Sequence, residues 1–369
     1  MPSLHDLPTP AMLVDVDVME HNLTELADFA REIDRQVRPH TKTHKCPALG
    51  RRQLELGAVG LTVATAWEAE VFAAVTNDLF VARSMLDHVA LKRLAALASR
   101  GTRMIVGVDS VEGVEVLSRA ATAYGAHMEA RIEIDSGQNR CGVAPEEAAP
   151  LARHIRAAPH LDLDGIFTHE GHVYSVTGPG GVDSVAKRVA AAMEVAANAI
   201  RAENMEVHSV SVGSTPARFV TPRYEGITEM RPGTYIFNDL TAILLAAARP
   251  EDCAASVLTT VISQPCGRRV VVDAGRKALG SDGVARESVG YILEHPRAKF
   301  RAASEEHGII DWHEDEELPR LGDRLRVVPY HVCPAVDLHD ELVMVRGEEI
   351  LDILPIEARG YGPLAKGME

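Results

Sequence analysis

Arg38-Pro39-His40-Thr41-Lys42-Thr43-His44-Lys45 is the stretch on which the reading of this chain turns. It follows an apolar helical segment and precedes Cys46-Pro47, so it is expected as a short strand running into a loop. Side chains alternate along a strand. That predicts His40, Lys42 and His44 on one face and Thr41, Thr43 and Lys45 on the other. A lysine crowded by other basic groups suits amine chemistry on carbonyl compounds. A solvated basic loop has the same composition, so the rest of the chain decides.

Working outward, short apolar runs recur at 37–42, 59–64, 78–82, 104–108, 129–135, 163–168, 207–212 and 233–237. Alanine-rich helical stretches at 89–99, 111–123, 145–157 and 182–203 separate most of them. Eight strand candidates alternating with helices predict an α/β fold, a parallel sheet closed into an eight-stranded, TIM-like barrel. A doubly wound open sheet is the competing architecture. Upstream, 11–15 reads as a short apolar strand and 18–32 shows helical periodicity. Beyond about 250 the texture turns β-like, at 257–263, 269–273, 324–329 and 341–346. The expected division is 1–25 as an N-terminal strand and helix start, 26–249 as the barrel and 250–369 as a mostly-β domain. The N-terminal strand is expected to pair with that β domain.

Composition narrows the function. The chain has 369 residues, 46% hydrophobic and 25% charged, with a net charge of -15. An acidic chain lacks the basic surface that nucleic acid or an anionic membrane requires, so neither is expected as a partner. No apolar run approaches a membrane span. Met1-Pro2-Ser3-Leu4-His5-Asp6 has neither a charged nor an apolar leader region, so no signal peptide is expected. Cys46, Cys141, Cys253, Cys266 and Cys333 are odd in number and scattered, which predicts reduced thiols and a cytoplasmic setting.

A parallel barrel carries its chemistry at the C-terminal ends of its strands. Lys42 follows the first. Asp135-Ser136-Gly137-Gln138-Asn139-Arg140-Cys141-Gly142 follows the fifth, and Thr168-His169-Glu170-Gly171-His172-Val173-Tyr174 the sixth. Gly213-Ser214-Thr215-Pro216 follows the seventh; Arg231-Pro232-Gly233 and Tyr235 mark the eighth. Gly-Ser-Thr after a strand bares backbone N–H groups and two hydroxyls, as a phosphate cradle would, though it is also an ordinary turn. A lysine, a phosphate cradle and an arginine at three strand ends describe a pocket for pyridoxal phosphate.

These residues resemble a known family. The barrel is similar to the alanine racemase type of pyridoxal-phosphate fold, which pairs an α/β barrel with a β domain. The whole chain more closely resembles the D-threonine aldolase and D-serine dehydratase family. Besides the motifs above, Asp273-Ala274-Gly275, Glu305-Glu306-His307-Gly308 and His331-Val332-Cys333-Pro334 match in family order. The resemblance implies that Lys42 is the Schiff-base lysine and that Arg140 contacts the cofactor phenolate oxygen. It implies Tyr174 at the ring nitrogen, and Gly213, Ser214, Thr215, Gly233 and Tyr235 around the phosphate. It places a metal on His331 and Cys333 and implies a homodimer.

The metal pair also has a physical case. His and Cys two apart on an extended segment point the same way and can reach one ion, Zn2+ or Mn2+. Two protein ligands leave positions for water and a substrate hydroxyl. A buried cysteine beside a surface histidine is the plainer alternative. Asp337, His339 and Asp340 could support the pair or form a solvated turn. His172 could be a base acting on substrate or a structural histidine, and Asp273 could face the cofactor or cap a turn.

The expected function is a pyridoxal-phosphate- and divalent-metal-dependent lyase for D-β-hydroxy-α-amino acids. The D-threonine aldolase type, giving glycine and an aldehyde, comes first. The alternative is D-serine dehydratase-type elimination to a keto acid and ammonia. An amino-acid racemase would need a second base and no metal; a non-catalytic pyridoxal-phosphate carrier would need no β domain.

Overall fold

The computed structural model describes residues 3–176, 180–283 and 288–363. The chain divides into two compact units, one built from 25–233 plus the tail from Ala358, the other from the first 24 residues plus 234–357. Residues 234–249 therefore group with the second unit.

The second unit holds β1 (Ala11–Asp15), β10 (Ala255–Ser263), β11 (Arg269–Val272), β12 (Gly290–Ile292), β13 (Lys299–Ala303), β14 (Gly308–Asp311), β15 (Arg324–Pro329), β16 (Glu341–Arg346) and β17 (Glu349–Pro355). They form one sheet in the order β11-β14-β13-β12-β15-β10-β1-β16-β17, and a further β10–β11 pairing closes its first six strands into an antiparallel barrel. β1 pairs antiparallel with β10 and parallel with β16, burying Met12, Leu13 and Val14.

The first unit holds β2 (Gln36–Val37), β3 (Leu61–Val63), β4 (Asp78–Val81), β5 (Arg103–Val108), β6 (Met128–Glu133), β7 (Leu161–Phe167), β8 (Ser209–Val212) and β9 (Glu229–Met230). All their pairings are parallel, in the order β2-β9-β8-β7-β6-β5-β4-β3. A parallel bridge between His40 and Thr62 links β2's continuation to β3 and completes the circuit. Helices such as His88–Ala98 and Val111–Ala123 start where the sequence supplies a cap: Asp87 accepts the Val89 N–H and Ser110 the Gly113 N–H. Their apolar faces join Leu79, Val106, Ile132 and Val210 in one core cluster. No helix among the described residues is long and apolar enough to cross a membrane.

The inside of this parallel barrel is ionic. Arg131 and Glu229 are each 1% exposed. Arg131 donates to Asp164 at 2.6 Å and also to Glu229, while Arg38 donates to Glu229 at 2.8 Å and pairs with Asp78. Burial raises the Glu229 carboxyl, but the Arg131 and Arg38 guanidiniums outweigh it and hold Glu229 at about 2. Such a lattice is tolerated only when every partner is present, because one missing member strands a buried charge.

Two expectations need correction. The eighth strand is Glu229–Met230, and 233–237 contains instead a tight helical turn, Thr234–Ile236. The true strand is two residues long and points a glutamate into the ionic lattice, so it carries no apolar signature. The first strand ends at Val37, and Lys42 lies in a one-turn helix, Thr41–Thr43, capped by His40. The alternating-face reading of 40–45 therefore fails: Thr41, Thr43 and His44 are all buried.

Candidate active site

In a parallel barrel every strand ends on the same side, so the segments after β2, β6, β7, β8 and β9 share one rim. They carry Lys42, Arg140, His169 and His172, Gly213-Ser214-Thr215, and Arg231 with Gly233. Lys42 is half-buried. Its positive charge bears on two imidazoles, His40 and His169. Burial drives both histidines toward the neutral form, and Lys42 is the next cause; His169 falls to about 3. The His169 Nδ1–H donates to the Gly213 carbonyl at 2.7 Å, which fixes its tautomer. His44, which the alternation placed beside Lys42, is turned away into a bond with Gln53 at 3.2 Å.

Two glycines allow the rim segments to close up. A Cβ on Gly213 would lie 3.1 Å from Arg231, and one on Gly233 would lie 2.9 Å from the Thr43 hydroxyl. Arg231 is wholly enclosed. It donates to the Thr168 carbonyl and the Ser211 hydroxyl at 2.6 and 2.7 Å, and burial lowers it to about 10 despite Glu229. Asn139 and Lys45 hold left-handed backbones at φ 56° and 49°, a strained state for side-chain-bearing residues that clusters at functional loops.

The rim fits a phosphorylated cofactor. The Thr215 hydroxyl is buried with no hydrogen-bond partner, as are both nitrogens of His172. Ser214 is buried and bonds Glu170 at 2.6 Å. Arg140 is half exposed and lies 3.5 Å from the Glu133 carboxylate. Tyr174 sits in the turn Gly171–Ser175, packed on the barrel core. Tyr235 falls in the second unit, where it is buried. A further cluster brings ligand-type atoms of Asp109, Glu133 and Cys141 within 4.8 Å. Its carboxylates are already engaged by Ser84, the Gly142 N–H and Arg140.

The second unit carries the His-x-Cys pair, held differently from the expected strand. His331 caps the short helix Val332–Asp337 and Cys333 lies in its first turn. Behind them is Asp239, fully buried, which sequence reasoning missed. Its carboxylate accepts the His331 Nδ1–H at 2.9 Å and the Val332 N–H at 3.1 Å. Burial opposes a charged His331, but Cys333 and Asp239 outweigh it and raise the imidazole to about 11. A group so eager for a proton, beside a thiol, suits a divalent cation. With Nδ1 taken by Asp239, Nε2 is the atom left to face Cys333, and it is the atom that would ligate a cation. Nothing in the sequence signals this partner, 92 residues away. The nearer candidates serve locally: His339 bonds the Ala278 carbonyl at 3.0 Å, and Asp273 binds Thr259 and Thr9.

Comparison with known proteins agrees with this two-part layout. The alanine racemase N-terminal domain profile matches residues 14–240, and a serine dehydratase domain profile matches 254–345. D-threo-3-hydroxyaspartate dehydratase of Delftia sp. (strain HT23) is 34% identical, covering 90% of this chain and 92% of its own length. Its solved structure superposes with a TM-score of 0.90, covering 98% and 100% of the two chains. Other structures of it include a histidine-to-alanine mutant and, two positions on, a cysteine-to-alanine mutant in the metal-free form. D-threonine aldolase of Arthrobacter sp. is 31% identical over 96% of this chain and 93% of its own. The D-threonine aldolase structure from Filomicrobium marinum is 32% identical, with a TM-score of 0.90 and 97% of both chains covered.

Proposed function

The chain belongs to the alanine racemase N-terminal-domain family, with a serine dehydratase domain behind it, and on that premise we propose a lyase for D-β-hydroxy-α-amino acids. It works with pyridoxal 5′-phosphate and a divalent metal, Zn2+ or Mn2+. The lead reaction is of the D-threonine aldolase type, cleaving the Cα–Cβ bond to release glycine and an aldehyde. The observation that carries the reading is His331 and Cys333 backed by buried Asp239. A racemase or a passive carrier has no use for that metal pair.

Pyridoxal phosphate, when bound, supplies an electron sink for bond breaking at Cα, and the metal supplies a Lewis acid for the β-hydroxyl. The residues do the rest. Lys42 anchors the cofactor and moves the proton at Cα. Neutral His40 and His169 add no charge beside it. Gly213, Ser214, Thr215, Gly233 and Tyr235 would hold the phosphate, Arg140 would take the phenolate oxygen, and Tyr174 would serve the ring nitrogen. His172, with both nitrogens unbonded, takes the substrate proton. Asp239 holds the Nδ1–H of His331, so that Nε2 and the Cys333 sulfur would be the atoms offered to a metal.

One observation favours a second reading, elimination to a keto acid and ammonia. The His-x-Cys spacing recurs as the two mutated positions of the Delftia dehydratase. Offering D-threonine and D-serine separately, with and without EDTA, decides. Glycine plus acetaldehyde, lost with EDTA, supports aldolase. Pyruvate plus ammonia from D-serine without glycine moves the assignment to dehydratase. No turnover of either, with cofactor bound, contradicts both. We also take the protein to be a cytoplasmic homodimer; five free thiols support the first, and light scattering would test the second.

A further inference from the structure

Glu170 is 1% exposed, at the end of β7, and the mechanism above leaves it without a task. Its Oε2 accepts the Ser214 hydroxyl at 2.6 Å; its Oε1 is buried outside hydrogen-bond geometry, with the Thr221 hydroxyl the other donor beside the carboxylate. The Ser214 oxygen also accepts the Ala217 N–H at 3.3 Å. A hydroxyl has one proton and two lone pairs. An ionised Glu170 can only accept, so it consumes the one proton Ser214 owns. Ser214 then has nothing to donate to an anion. A protonated Glu170 donates instead, fills the second lone pair of Ser214, and frees the Ser214 proton.

We infer that Glu170 is a positioning residue that sets the direction of the Ser214 hydroxyl, so that seating a phosphate in the 213–215 turn is coupled to uptake of one proton by Glu170. This rests on the proposed reading of that turn as the phosphate cradle. The groups facing Glu170 are the Ser214 hydroxyl after β8, the Thr221 hydroxyl in the turn Thr221–Arg223, and the Arg231 guanidinium after β9. His169 adjoins it on its own segment and is neutral. Burial raises the Glu170 carboxyl, while Ser214, Thr221 and Arg231 pull it down; the net direction is up. A dianionic phosphate arriving beside it pushes the same way. The bound state therefore holds the protonated carboxyl, and the affinity for phosphate falls as pH climbs through the Glu170 transition.

The test uses the full-length protein freed of cofactor, with pyridoxine 5′-phosphate as the probe. That compound has the phosphate but no aldehyde for Lys42 to attack. Calorimetric titration in buffers of different ionisation heat, between pH 7 and 9, counts the protons taken up on binding. Wild type is expected to take up as much as about one proton more than E170Q, whose amide N–H donates to Ser214 at every pH. Above the transition wild-type affinity falls up to about tenfold per pH unit more steeply than that of E170Q, the probe's own ring titration being common to both. S214A loses the extra proton as well and binds the probe more weakly, with unphosphorylated pyridoxine as reference. Equal proton counts in wild type and E170Q, with S214A still selectively weakening the phosphorylated probe, overturn the Glu170 role and leave the cradle standing. If S214A binds the phosphorylated probe as wild type does, both fall. Should E170Q fail to fold, the proton count of S214A against wild type decides alone.

Discussion

His169 in the parallel barrel and His331 in the β unit are both half-buried imidazoles at the ends of strands, and their surroundings push them in opposite directions. Burial and the Lys42 ammonium drive His169 down to about 3. His331 is just as opposed by burial, yet a thiol and a carboxylate raise it to about 11. The first is a neutral imidazole kept beside a basic amine. The second is an imidazole beside anions, in want of a cation. For His169 burial leads and the Lys42 charge adds to it; for His331 the neighbouring anions overturn burial. The same contrast separates the two proposed chemistries, amine work at the barrel rim and metal work in the β unit.

The largest expected effect comes from removing the charge on the barrel side. Lys42→Ala should lower turnover by about 10³-fold or more, since the anchoring amine is gone. In the same variant His169 should titrate at higher pH, as one cause of its depression is lost; histidine NMR reads this. An unmoved His169 would break the electrostatic half of the comparison. Next in size is Asp239→Asn, which keeps the shape but drops the charge behind His331. Metal affinity, measured by competition with a chromogenic chelator, should fall about 10–100-fold. Unchanged affinity would mean that Asp239 only caps the helix Leu240–Leu244. The smallest effect is on stability. The folded-state value of His169 lies below its ordinary 6.5, so the unfolded chain binds the proton more readily. That stability is present above pH 6.5 and is lost as pH falls toward 3. His44, depressed by burial to about 4, adds to the loss. Urea midpoints between pH 7 and 4.5 should decline, and His169→Gln should flatten the slope.

Much of the layout was legible because it was written in periodicity. The helix at 111–123 and the strands at 11–15, 324–329 and 341–346 lie where the apolar pattern put them. Those elements bury apolar side chains, on one face of the helix and on both faces of the strands, and burial is what a pattern records. The misplaced eighth strand shows the limit. Glu229 is buried by pairing with Arg131 of β6 and with Arg38 just past β2, and a residue buried by ion pairing looks exposed in sequence. The local setting of Lys42 was misread: a helical turn presents it, with His44 facing elsewhere. Asp239 and Glu170 escaped altogether. Each matters through hydrogen bonds with a segment about 92 or 44 residues distant, and no local spacing encodes that.

The most direct measurement is to reduce the cofactor-loaded protein with borohydride, digest it, and map the fixed pyridoxyl group by mass spectrometry. The account predicts the label on Lys42, in the peptide that carries His40. A label on Lys45, or on any lysine outside the 38–45 stretch, would contradict it.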